Sequence, residues 1–387
     1  MRNPNDITAY RKEKKRKSNM NKVLVTAVLF LAILAVWMFR ENIFAPLQGV
    51  ANRMNTTGIN EGFPIVLSGS ASFSMSRTDN NFLLLSDTYL YTFTSRGGHL
   101  LAHRHNYSRP VQRATNRRIL VYNFNGNEFS LFNRSGRVYE VKLDDRIVLA
   151  ELGENDMAAV VTTSTAFSNI LHIYNNSGSW VYRQRFIDEE VNALTFASRN
   201  NEIFVATSTV RDGDVECMLY RFRTDTEDDL IWERALPRGA WALQVRENGG
   251  YVTVLADNML MSFDANTGQP AGSYNFDSGQ LVKDIYGDEF NLVILRDYVT
   301  GKLLFITLDL QSNVINTEIM PFEQKQVEIF GEIVYTLTGE GLMMHDMHLN
   351  QLGLIELEDE FRDFVTVGQY AMILGYETIE RIELTEN

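Results

Sequence analysis

From Phe63 onward the chain cycles through short apolar runs of four to eight residues divided by Gly, Asn, Asp and Ser, and no stretch sustains a 3.6-residue period. That pattern predicts strands throughout. Predominantly apolar runs recur at residues 82–85, 119–122, 158–161, 203–206, 251–254, 292–295, 333–335 and 371–374, as expected of strands covered on both faces. Tight turns recur with them: Arg96-Gly97-Gly98, Asn133-Arg134-Ser135-Gly136, Asn175-Asn176-Ser177-Gly178 and Asp264-Ala265-Asn266-Thr267-Gly268. Weaker equivalents lie at 225–227, 310–313 and 347–350.

Consecutive turns fall roughly 37 to 47 residues apart, the length of a four-stranded propeller blade. Residues 241–245, 251–255, 259–263 and 271–276 show the plan of one repeat. The expected fold is therefore all-β, an eight-bladed β-propeller, with seven blades as the alternative if one repeat is miscounted. The last repeat stops after three strands, at residues 379–384, while Pro64-Ile65-Val66-Leu67 precedes the first repeat without a partner. Strand exchange between the two would close the ring and leave no open sheet edge.

The N-terminal part follows another rule. Residues 23–39, VLVTAVLFLAILAVWMF, carry no charge and lie between Lys22 and Arg40. As a helix they would span about 25 Å, enough for a transmembrane helix with snorkelling flanks. Arg11, Lys12, Lys14, Lys15, Arg16 and Lys17 precede the run, which by the positive-inside rule keeps residues 1–22 in the cytoplasm. A cleaved signal peptide is the rival reading; its only small-residue site, Ala45, is followed at once by Pro46. The expected domains are thus a basic tail 1–22, a membrane span 23–39, a linker 40–62 and an extracytoplasmic propeller 63–387.

Charge agrees with that division. Residues 1–40 hold nine Lys/Arg against two Asp/Glu, a balance of +7, and residues 41–387 hold 27 against 47, a balance of −20. A domain so acidic is a poor nucleic-acid ligand, because that affinity rests on neutralising phosphates. The single cysteine, Cys217, excludes an intramolecular disulfide and reads as a buried core residue.

The Asp264–Gly268 turn, with copies ending in Ser135-Gly136 and Ser177-Gly178-Ser179-Trp180, resembles the quinoprotein-type (PQQ-like) propeller repeat. The whole arrangement of basic tail, span and divergent propeller resembles an uncharacterised family of membrane-anchored propeller proteins of Gram-positive, clostridia-like bacteria. The resemblance implies a fold and no function. The docking tryptophan that quinoprotein repeats place after the turn is found as Trp180 and, offset, as Trp232.

No cofactor, metal site or catalytic residue is expected. Quinone enzymes on this fold use a vicinal disulfide or stacking tryptophans, and Trp180, Trp232 and Trp241 read as core residues on strands. His103 and His105, and His345 and His348, lack further ligands nearby and read as exposed turn or edge residues. Arg211-Asp212-Gly213-Asp214 reads as a hairpin tip, too short for a calcium loop. A hydrolase or quinoenzyme is the weakest reading.

Alternating strands divide the loops between two faces. The short turns above share one face; second-to-third and inter-blade connections share the other, where length varies most, at 162–169, 208–216 and 296–302. The candidate binding residues lie there: Asp144, Asp145, Asp188, Glu189, Glu190, Arg211, Asp212, Asp214, Arg296, Asp297, Tyr298, Glu358, Asp359 and Glu360. They suggest a scaffold surface for another envelope or extracytoplasmic protein with a basic patch. A glycan or small ligand at the axis is the alternative.

Overall fold

A computed structural model of the protein describes residues 62–67, 72–198, 201–225, 230–358 and 360–384. The basic tail, the span 23–39 and nearly all of the linker lie outside the described residues, as does Asp359. Among the described residues no helix is long and apolar enough to cross a membrane.

The described residues form 32 strands in eight four-stranded antiparallel sheets. In chain order, blade 1 spans residues 74–104, blade 2 110–142, blade 3 147–186, blade 4 190–235, blade 5 242–275, blade 6 279–320 and blade 7 326–356. Blade 8 is Phe361–Val367, Tyr370–Gly375 and Thr378–Glu383, completed by Ile65–Val66. The all-β, eight-bladed reading therefore holds and seven blades does not. Ile65 pairs with Ile379 and Val66 with Thr378, so the chain's first described strand supplies the outer strand of its last sheet.

The second strands are apolar through their middles because each is covered on both sides by neighbouring sheets. Asn81–Leu85, Ile119–Asn123 and Ala158–Thr163 are buried at nearly every residue. Apolar side chains from adjacent blades meet in eight clusters, one at each interface round the ring. At the seam, Phe82 and Leu84 of blade 1 pack with Met372, Leu374 and Ile379 of blade 8, and Ile65 packs against them. Each second strand thus serves two cores, which explains why these runs were so plain in the sequence.

Short polar turns then lock one blade to the next. Asn133, Asn175, Asp264, Asp309 and Asp346 each accept backbone N–H bonds through the side chain, between 2.8 and 3.1 Å, from residues two to four positions on. Third strands reach the following blade's turn from one repeated position: Thr92 Oγ1 donates to the Arg134 carbonyl at 2.7 Å, Arg221 Nη1 to the Ala265 carbonyl at 2.6 Å, and Ser262 Oγ lies 2.6 Å from Ser312 Oγ. Trp232, on the outer strand of blade 4, does the same through its indole, Nε1 to the Ala265 carbonyl at 3.1 Å.

Several expectations need correction. Residues 208–216 are not a loop: Glu202–Arg211 and Asp214–Arg223 are continuous strands, and only Asp212-Gly213 turns, both at positive φ. Ten-residue strands make this the longest hairpin of the ring. Trp180 and Trp241 are not core; they are 52% and 38% exposed, and of the three described tryptophans only Trp232 is buried. The docking role expected of a second tryptophan falls to Tyr139, whose ring lies where a Cβ on Gly178 would come within 2.8 Å, as Trp232 does at Gly268. His105 and His345 are buried rather than exposed. His105 Nε2 lies 3.2 Å from the Ser86 carbonyl and its Nδ1 accepts from the Tyr107 N–H at 3.3 Å, so burial is matched by two bonds.

Candidate functional site

Second-to-third turns and inter-blade loops emerge on one face of the disc, and the described ones among the predicted residues occupy it. Their roles divide sharply. Asp297 is a brace: its Oδ1 accepts from the N–H groups of Val299 and Thr300 at 3.2 and 2.6 Å and from Thr300 Oγ1 at 2.7 Å, which holds its carboxyl below the usual range. The sequence Asp297-Tyr298-Val299-Thr300-Gly301 repeats the Asp-x-x-Thr-Gly pattern of Asp264–Gly268 on the opposite face, a match that inspection of one face alone does not reveal. Arg296 grips Glu323 with both Nη atoms at 3.2 Å. Arg211 pairs with Glu216 at 3.8 Å, and Asp214 with Arg238 at 3.7 Å.

Glu189 is half-buried and accepts bonds from Thr207 Oγ1 at 2.8 Å and Tyr220 OH at 2.9 Å. Asp144, Asp188, Glu190, Asp212, Glu358 and Glu360 are exposed, and Asp145 is half-buried. No ion pair involves them among the described residues. The described ones among the predicted residues form no single cluster; they lie on blades 4 and 6 and in the loops joining blades 2 and 3, blades 3 and 4, and blades 7 and 8.

What sequence reasoning missed is the apolar part of this face. Ile187, Trp241, Tyr298, Val299 and Tyr376 project from its turns or loops and Val210 from the end of the strand Glu202–Arg211, with Tyr298 70% and Val299 92% exposed. Leu243 and Val282, at bulges on the innermost strands of blades 5 and 6, are exposed as well. Single exposed apolar residues are ordinary, and eight of the exposed ones lie on this face. Their signal was present as apolar residues at turn positions, where the alternation rule has no place for them.

A groove of about 410 Å³ opens between blades 3 and 4 at the foot of the long hairpin. Tyr182, Phe186, Tyr220 and Phe222 wall it, and Asp188, Glu189, Arg185 and Arg211 supply its charge.

Near the axis the innermost strands carry a second feature invisible in the sequence. Lys283 of blade 6 bonds Gln326 of blade 7, and Gln326 Nε2 donates to Asp363 Oδ1 of blade 8 at 2.7 Å. One step along, Glu328 Oε2 accepts from the N–H and Oγ1 of Thr366 at 2.8 and 2.9 Å, and Arg77 of blade 1 donates to the Thr366 carbonyl at 3.0 Å. Gln112 of blade 2 then donates to Ser74 Oγ at 3.1 Å, and Arg113 pairs with Glu151 of blade 3 at 3.0 Å. Burial pushes the carboxyls of Asp284, Glu328 and Asp363 up and the Lys283 ammonium down. This belt ties blades together where strands are closest, and its bonds run between blades.

Cys217 is buried beside Ala242, and burial raises its thiol, which keeps it protonated. Among the described residues no group of His, Cys, Asp and Glu is arranged to hold a metal ion.

Comparison with known proteins agrees on the fold. The computationally designed Ika8 protein is similar at a TM-score of 0.60 and 12% identity, covering 82% of this chain and 98% of its own. BamB from Moraxella catarrhalis is similar at 0.55 and 11%, covering 84% and 97%, and Sqt1 from Saccharomyces cerevisiae at 0.57 and 9%, covering 83% and 100%. At such identities the likeness concerns architecture alone. No curated protein sequence matches. A family described only as one of unknown function matches residues 66–384.

Proposed function

The chain belongs to that family, DUF5711, and we propose that its propeller is a non-catalytic interaction module that binds another protein through the inter-blade loop face. One observation carries the reading: apolar tips at Ile187, Val210, Trp241, Tyr298, Val299 and Tyr376 stand among charged neighbours on that face. Aromatic and aliphatic spots inside a charged rim are the composition of a protein-binding surface. A rigid ring with variable loops on one side is also how propellers commonly serve as scaffolds.

On this reading residues 1–22 stay in the cytoplasm, 23–39 anchor the chain in the cell membrane and 40–62 tether the propeller outside it. The partner is another envelope or extracytoplasmic protein whose contact surface is basic, since residues 41–387 carry a balance of −20. A photo-crosslinking side chain placed at Tyr298 in the full chain, activated in native membranes, captures one protein reproducibly; the same group at Asn176, in a turn of the opposite face, does not. Equal capture from both positions, or none from Tyr298, ends the proposal.

A second reading has its own support. Ser76 Oγ, Asn192 Nδ2 and Arg362 Nε, all on innermost strands, are buried without a hydrogen-bond partner. A glycan or small polar ligand along the axis would satisfy them.

A further inference from the structure

We propose that the groove between blades 3 and 4 is the anchor pocket for an arginine side chain of the partner; this rests on the interaction reading above and gives it a chemical address. Four aromatic rings and one half-buried carboxylate define the groove. Tyr220 and Phe222 stack at 5.5 Å between centroids and Phe186 meets Phe222 edge-on at 6.2 Å; Tyr182, Phe186 and Phe222 are 5% exposed, so the wall is aromatic and half-buried Tyr220 is its most open ring. Such a surface takes a flat cation or an aliphatic stem.

Glu189 lines the same groove, and its two oxygens each accept a single hydroxyl bond, from Thr207 and Tyr220. A carboxylate oxygen has two acceptor sites, so each retains one. A planar guanidinium uses both features at once: its face lies on the rings while its fork meets the carboxylate, which a point-like ammonium cannot do. Asp188, exposed at the mouth, adds a second negative group.

The groove's own cations do not fill this role. Arg211 is exposed and drawn to Glu216 at 3.8 Å, and the Arg185 guanidinium lies over the Phe167 ring at 5.6 Å. Both remain at the mouth, where they oppose a ligand with several adjacent cations and admit one with a single arginine between apolar residues. Ile187 and Leu230, exposed at the edges of the groove, fit those flanking apolar side chains.

The test uses the full chain in detergent micelles and two probes, the capped tripeptide Leu-Arg-Leu and its counterpart with neutral citrulline in place of arginine. Saturation-transfer NMR on the peptides detects binding. The arginine peptide binds, the citrulline peptide binds at least tenfold more weakly, and Glu189→Gln and Asp188→Asn each weaken the arginine peptide. Asp188→Asn guards against a misfolding artefact, because its side chain is exposed and its melting temperature stays that of the parent. Absence of arginine-peptide binding, equal binding of the two peptides, or full binding by both variants overturns the pocket. Capture at Tyr298 with an inactive groove removes only this inference; a groove that binds arginine while Tyr298 captures nothing removes the face as the partner surface instead.

Discussion

The Trp232 indole donates to the Ala265 carbonyl at 3.1 Å, joining the outer strand of blade 4 to the turn that opens the outer strand of blade 5. The contact needs Gly268, at φ +68, because a Cβ there would lie 2.8 Å from the indole ring. Gly268→Ala is expected to cost about 1–2 kcal/mol through its left-handed backbone, with ring displacement added. Trp232→Ala removes a buried aromatic and is expected to cost about 3–5 kcal/mol. Urea unfolding followed by Trp-independent circular dichroism measures both, and a loss under ~0.5 kcal/mol for Trp232→Ala contradicts the docking role.

Ring closure makes a prediction about the seam. Ile379 is fully buried and pairs with Ile65. Ile379→Ala is expected to cost about 2–5 kcal/mol. Removing residues 62–67 from an otherwise intact chain bares the edge of Thr378–Glu383, and an open strand edge promotes association. Light scattering should report aggregation of that variant at concentrations where the parent is monodisperse.

The inner belt predicts an unusual pH response. Glu328 is raised by burial, an effect only partly opposed by Arg77 and the bonds from Thr366. A carboxyl whose folded pKa exceeds its unfolded value binds its proton more tightly when folded, so its contribution is present below the unfolded pKa and lost as pH rises through the folded one. Asp284 and Asp363 shift in the same direction, again by burial. Asp264, lowered chiefly by the bonds from Thr267, works oppositely and loses its contribution as pH falls. Glu328→Gln isolates the belt: the parent's stability relative to the variant should grow between pH 7.5 and pH 4. A relative stability that shrinks over that range contradicts the assignment.

Surface and core substitutions should separate cleanly on the loop face. Tyr298→Ser and Val299→Ser alter exposed tips and are expected to stay within about 0.5 kcal/mol of the parent. Both should reduce partner capture in native membranes. A variant that lost stability and capture together would place these residues in the fold rather than in the contact.

Cys217 offers a simple check on packing. Its burial and raised thiol predict no labelling by maleimide in the native state and full labelling in urea. Rapid native labelling would show that the interface between blades 4 and 5 opens.

The legibility of these features in the sequence follows from where each constraint is local. Blade number was readable because each second strand, such as Asn81–Leu85, has an apolar middle, and most turns after the third strands carry their own Asn or Asp. The seam was readable because residues 64–67 had no other sheet to join. Burial of His105 and His345 was not, since it depends on partners such as the Ser86 carbonyl and Phe322 in another repeat or loop. Trp180 and Trp241 are exposed because position relative to the turn, and not aromatic character, decides burial. The belt of Lys283, Gln326 and Asp363 could not be seen at all, because it connects three blades at separations of roughly forty residues, where only the closed ring sets the register.

With Ile65–Val66 as the outer strand of blade 8, the order of synthesis and the order of completion differ. An early segment must wait, exposed and unmatched, until residues 361–383 have formed their sheet. Tension applied through the residues before Gly62 would then act first on a two-residue strand at the rim, so the joint that closes the circle is also where a pull would begin to open it.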